Sequence, residues 1–144
     1  MNQKIIILFA LFAFLLSCSS KTVKNETTVQ TVREQKTGPV EAEKAYDMII
    51  NNRDNPSFVI IDVRSENEYA EGHIPGALNL DYASGQFENS VKSLDRNKTY
   101  LLYCSSSRKS EKAVSDLKEL GFLEAYHIFG GLTEWERKGY PVVK

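Results

Sequence analysis

A cysteine that ends an apolar run and opens into hydroxyls and cations has the surroundings of a nucleophile. Leu101-Leu102-Tyr103-Cys104 is such a run, and Ser105-Ser106-Ser107-Arg108-Lys109 follows it directly. The thiolate is the reactive form of cysteine, and nearby positive charge and backbone N–H groups favour it. Arg108 and Lys109 are expected to supply that charge, and Ser105, Ser106 and Ser107 to supply donors. Cys104 is therefore the expected nucleophile, and residues 105–109 the loop that holds what it reacts with. The second of the two cysteines, Cys18, ends a different run, Leu15-Leu16-Ser17-Cys18. It reads as a lipid attachment point, which leaves no pair for a structural disulfide. No Cys/His cluster has zinc spacing, so no metal or other cofactor is expected.

The elements that must position Cys104 alternate along the chain. Ala42, Ala45, Tyr46 and Ile49 recur at helical spacing, which predicts an amphipathic helix over residues 41–52. Phe58 to Val63 is a continuous apolar run of the kind buried on both faces of a parallel sheet. Ser65 and Glu68 have the spacing of a capping box, and Gly72 closes that short helix. Ala77 to Leu80 predicts a short strand and Phe87 to Leu94 a weak helix. Thr99 to Tyr103 predicts a second buried strand, followed by a helix marked by Ala113, Val114, Leu117 and Leu120 and closed by Gly121. Ala125 to Phe129 predicts a third apolar strand, then a Gly130-Gly131 turn and a last helix ending at Gly139. Strands alternating with helices predict an α/β domain with a largely parallel sheet. Sites in such sheets form beyond the carboxyl ends of the strands. Cys104 stands at such an end, just before a helix whose first N–H groups can face an anion.

The N-terminus reads as an address. Lys4 precedes 12 uncharged apolar residues, Ile5 to Leu16. A membrane-spanning helix needs about 20, so this run is read as the core of a signal peptide. Its Leu-Leu-Ser-Cys ending resembles the bacterial lipobox, which implies cleavage before Cys18 and acylation of that residue. Multiple acyl chains make a stable anchor. From Ser19 the chain is rich in Thr, Val, Lys, Gln and Glu without strand or helix periodicity, up to Gly38-Pro39. The expected organisation is a signal peptide over residues 1–17, the lipidated cysteine and a flexible tether over 18–38, and one globular domain over 39–144. The expected location is the bacterial cell envelope, with the domain outside the cytoplasm. Cleavage removes Lys4 and leaves 17 Lys and Arg against 19 Asp and Glu, a net charge of −2. That balance argues against a nucleic-acid partner, which needs a basic face.

Three motifs in order resemble the rhodanese family. They are Asp62-Val63-Arg64 with Glu68-Tyr69 and Gly72-His73-Ile74-Pro75-Gly76-Ala77-Leu78-Asn79, the loop opening at Cys104 after Tyr103, and Gly130-Gly131-Leu132 with Trp135 and Gly139-Tyr140-Pro141-Val142. The resemblance covers residues 39–144. It implies a five-stranded, mainly parallel sheet flanked by helices on both faces. It also implies a sulfurtransferase that moves a sulfane sulfur from a donor such as thiosulfate to a thiol or cyanide acceptor, through a persulfide on Cys104. Many single-domain members have Gly at the place of Ser107 and Arg at the place of Lys109. If the loop needs a positive φ at residue 107, a serine there stores strain.

Other functions remain as alternatives. A non-catalytic binding or sulfur-carrier module could use the same fold. A phosphatase or arsenate reductase needs Cys, five residues, then Arg to clamp an oxyanion, and that position is Ser110. Asp62 and Arg64, at the end of a strand, could frame the rim of the site or form a structural ion pair. His73 is expected to order a turn, His127 to be a satisfied packing residue, and Trp135 to anchor the core with its indole N–H bonded.

Overall fold

The computed structural model describes residues 33–144. Five strands run in the order β1 (Lys36–Val40), β2 (Phe58–Asp62), β3 (Leu78–Asn79), β4 (Thr99–Tyr103) and β5 (Glu124–Ile128). They form one sheet with spatial order β1-β5-β4-β2-β3. Every pairing is parallel, with Asp62 opposite Tyr103 and Leu102 opposite His127. The helices are α1 (Ala42–Asn51), α2 (Glu66–Glu71), α3 (Phe87–Lys92), α4 (Arg108–Glu119) and α5 (Gly131–Arg137).

Alternation along β4 divides the core in two. Tyr100, Leu102 and Cys104 pack with Val114 and Leu117 of α4 and with Phe87 and Val91 of α3. Leu101 and Tyr103 face the other way, toward Ala42 and Ala45 of α1 and Trp135 of α5. Both faces of β4 are thus buried, which is why its sequence reads as an unbroken apolar run. The predicted capping box is present. Ser65 Oγ accepts from the Glu68 backbone N–H, and the Glu68 carboxylate accepts from the Ser65 backbone N–H. The Trp135 indole N–H donates to the Pro141 carbonyl at 2.9 Å. His73 Nδ1 lies 3.0 Å from the Tyr69 carbonyl and its ring stacks on Tyr69, so it orders the turn as expected.

Two expectations need correction. Residues 36–38 belong to strand β1 rather than to a free tether, and they pair with Glu124, Ala125 and Tyr126 of β5. An edge strand packs one side only and tolerates Pro39, so its sequence, Lys-Thr-Gly-Pro-Val, carries no apolar run to announce it. His127 is buried but not satisfied, because its Nδ1 has no hydrogen-bond partner among the described residues. The signal-peptide reading, Cys18 and the tether as far as residue 32 lie outside the described residues.

Candidate active site

Cys104 follows β4 and is 3% exposed. With Ser105, Ser106, Arg108 and Lys109 it lines a cup of about 190 Å³. The backbone around that cup is polarised by where its carbonyls are held. The Cys104 carbonyl accepts from the Leu132 N–H at 2.7 Å, and the Ser105 carbonyl from the Thr133 N–H at 3.1 Å. Both donors are first-turn amides of α5, which lack partners within their own helix. The Ser107 carbonyl accepts from the Glu111 N–H and from Ser110 Oγ. By contrast, among the described residues no protein acceptor takes the N–H groups of residues 105–107. The free N–H groups at the start of α4 follow directly. A loop with its carbonyls tied back and its amides unused is a cradle for an anion at the Cys104 sulfur.

Gly131 makes this possible. A Cβ there would stand 2.3 Å from the Cys104 carbonyl oxygen and 2.7 Å from the Ser105 carbonyl carbon. The backbone of α5 can approach the loop only without a side chain. Ser107 has φ 83°, the one positive φ among the described non-glycine residues, so the strain foreseen for it is real. The side chain offsets that cost. Ser107 Oγ accepts from the Gly130 N–H at 2.7 Å and lies 3.3 Å from the Ile128 carbonyl, so it joins the loop to the end of β5. A glycine at this position would have the backbone freedom but not this bridge.

In the sequence Ser110 marks only the place where a clamping arginine is missing. In the structure it is fully buried in the first turn of α4, with Oγ 3.5 Å from Cys104 Sγ. Its position six residues after the cysteine, at a helix start, was the available signal. Glu68 is the second residue with a contact that the sequence does not announce, since there it marks only the capping box and the family motif. Its carboxylate bonds Ser65 and also accepts from Ser105 Oγ at 3.2 Å, and Lys109 Nζ lies 4.0 Å away. Burial pushes the Glu68 carboxyl up, but hydrogen bonds from Ser65 and Ser105 and the charge of Lys109 together hold it below its ordinary range.

Ser105, Ser106, Arg108 and Lys109 all line the cup, while Ser107 turns inward to the β5 bridge. The two rim residues divide. Asp62 is completely buried and takes no part in a rim. It binds Arg64 through its carboxylate, with Arg64 Nη2 at 2.6 Å, and also accepts from the Arg64 N–H at 2.9 Å. Arg64 is 6% exposed and donates onward to the Gly72 carbonyl. A charge buried at a strand end must be paired, and this pair orders the turn after β2. Arg64 does border a second cleft that meets the cup at Ser105. No group of His, Cys, Asp and Glu among the described residues could hold a metal ion.

The arrangement agrees with known proteins. The rhodanese-like domain family matches residues 41–138. A rhodanese-related protein from Thermoplasma volcanium is similar in structure, with a TM-score of 0.63 and 30% identity over 73% of this chain and 96% of that one. The rhodanese-like domain of an Anabaena protein superposes with a TM-score of 0.62 at 25% identity, over 73% of this chain and 77% of that one. Among curated proteins, a tRNA uridine(34) hydroxylase from Citrobacter koseri is 36% identical over 97 residues, which is 62% of this chain. The candidate sulfur carrier protein YrkF of Bacillus subtilis is 33% identical over 82 residues, 57% of this chain and 43% of that protein. The match spans only 28% of the length of the hydroxylase. The fold, the strand-end cysteine and the family match together place the chain in the rhodanese-like domain family over residues 41–138.

Proposed function

We propose that this domain is a sulfurtransferase that carries a sulfane sulfur as a persulfide on Cys104. The Cys104 thiolate attacks the outer sulfur of a donor such as thiosulfate. A new S–S bond forms, the donor S–S bond breaks, and sulfite leaves with the electron pair. The terminal sulfur anion then rests in the cup. An acceptor thiolate or cyanide attacks that sulfur, and Cys104 leaves as thiolate, ready for another cycle. This is two-step covalent catalysis.

The observation that carries this reading is the polarised loop: three carbonyls tied away and the N–H groups of residues 105–107 left for a ligand. Donors placed in advance stabilise a developing anion without reorganising. Ser110 adds a mobile hydrogen. It donates to the Ser107 carbonyl at 3.0 Å while Cys104 is a thiol, and it can turn 3.5 Å toward the sulfur once that is an anion. Arg108 and Lys109 at the rim favour an anionic donor during approach. The sulfur-carrier name of the Bacillus relative supports transfer to another molecule as the natural second half-reaction. We further propose that Cys18 is lipidated and tethers the domain to a bacterial envelope membrane. The support is the Leu-Leu-Ser-Cys ending of the apolar run.

Cys104→Ser tests the assignment. Serine is nearly the same size but stays protonated at neutral pH and cannot hold a sulfane sulfur. Sulfur transfer from thiosulfate or mercaptopyruvate to cyanide should fall to the uncatalysed rate. Mass spectrometry should find one added sulfur on Cys104 of the wild type and none on the variant. Thiocyanate production by a folded Cys104→Ser protein refutes the mechanism. A wild type inert to every sulfane donor favours the binding-module alternative instead.

A further inference from the structure

Ser105 lines both the cup at Cys104 and a neighbouring polar cleft of about 380 Å³. Glu68, Glu71 and Glu136 wall that cleft, with Arg64 and Thr133. The Arg64 guanidinium is already committed to Asp62 and to the Gly72 carbonyl. No cation lies within ion-pair distance of Glu71 or Glu136 among the described residues. The carboxylates are also tied to the nucleophile's loop. Glu68 accepts from Ser105 Oγ on one oxygen and faces Lys109 with the other, so it stands on the ridge between cup and cleft. Its carboxyl is held below its ordinary range, so it faces Lys109 Nζ at 4.0 Å as a carboxylate. Arg108 and Lys109 thus line the cup, while three carboxylates line the cleft on the other side of Ser105.

We propose that Glu68, with Glu71 and Glu136, determines which acceptor discharges the Cys104 persulfide, and that the class selected is a thiol carrying a positive charge, such as an amine-bearing thiol. This rests on the sulfur-transfer reading above and names its acceptor. The ammonium group lies over the carboxylates while the thiolate reaches past Ser105 to the outer sulfur. The thiol proton goes to solvent, and the acceptor sulfur forms a bond to the outer sulfur of Cys104. The S–S bond to Cys104 breaks, and Cys104 leaves as thiolate. The products are a cationic persulfide and the resting site. An anionic acceptor meets the same carboxylates as a repulsive wall.

The test uses three small thiols of similar size: cysteamine, 2-mercaptoethanol and 3-mercaptopropionate, which are cationic, neutral and anionic. The domain is loaded with sulfur, loading at Cys104 is verified by mass, and the discharge rate by each thiol is measured. Comparison of wild type with variants cancels the intrinsic reactivity of each thiol. In Glu68→Gln/Glu71→Gln/Glu136→Gln the preference for cysteamine over 3-mercaptopropionate should fall about tenfold, while 2-mercaptoethanol changes little. Glutamine at residue 68 can keep the capping bonds on its amide oxygen while its amide nitrogen donates to Ser105 Oγ. Glu71→Gln/Glu136→Gln, which changes two exposed side chains, guards against a folding defect and should give part of the same fall. Salt near 1 M should shrink the wild-type preference, as expected for exposed charges. An unchanged preference in normally loaded variants overturns the proposal and leaves sulfur transfer standing. Failure of the wild type to load from any donor overturns the sulfur-transfer reading and, with it, this one.

Discussion

A hydroxyl 3.5 Å from a sulfur is a weak contact in the resting thiol and a valuable one once the sulfur carries charge. Ser110 is placed for the second state, since it is fully buried and, among the described residues, its hydroxyl is bound otherwise only to the Ser107 carbonyl. Ser110→Ala should therefore slow loading of Cys104 about tenfold, or ~1.4 kcal/mol, the size of one hydrogen bond to a charged group. The fold should be nearly unaffected. Single-turnover loading followed by mass spectrometry measures this, and an unchanged loading rate would remove Ser110 from the mechanism. The same residue weighs against the oxyanion-clamping alternative. A bidentate fork needs an arginine at this position, and serine offers one rotating hydrogen.

At the level of elements, the site is a junction of β4, α4 and α5. The start of α4 supplies free N–H groups, and the start of α5 takes up the carbonyls of Cys104 and Ser105. The two helix ends act on opposite sides of one loop. Gly131→Ala should break the junction. The new Cβ would meet backbone at 2.3 Å, and backbone cannot swing aside as a side-chain tip can. A loss of about 2–4 kcal/mol is expected from such a clash at a positive φ. Urea denaturation measures the loss, and alkylation of Cys104 should change with it. A variant as stable as the wild type would mean that the α5 contact does not hold the loop.

For the molecule as a whole, His127 couples stability to pH. Burial in strand β5 lowers its pKa from the ordinary 6.5, and the charge of Glu111 opposes this only in part. The unfolded chain then binds a proton more readily than the folded one. Stability is full above the unfolded value and is lost as pH falls through and below about 6.5. The urea midpoint should drop more between about pH 7.5 and about pH 5.5 in the wild type than in His127→Gln. Equal drops would show that His127 does not contribute. The proposed anchor also belongs to this scale. Expressed in a bacterial host with labelled palmitate, the full chain should take up label and its Cys18→Ala variant should not. Equal labelling of the two would rule out Cys18 as the attachment site.

Much of this protein was legible along the chain because it depends on local order. The strand cores, the capping box at Ser65 and Glu68, the glycine stops and the position of Cys104 between a strand and a helix all depend on neighbours a few residues apart. Those signals specified an α/β fold and a candidate nucleophile. What tertiary structure alone decided involves partners far apart in sequence. Strand β1 exists because β5 offers it an edge, and nothing in Lys-Thr-Gly-Pro-Val announces that. Asp62 proved to be a buried partner of Arg64, since burial is a property of the packed sheet and not of a strand's last residue. Ser110 beside the sulfur, Glu68 on Ser105 and Gly131 against the Cys104 carbonyl likewise appear only when α4, α2 and α5 converge on one strand end. A sequence pattern records which face a residue takes, but the distance between two faces is set by how the elements pack.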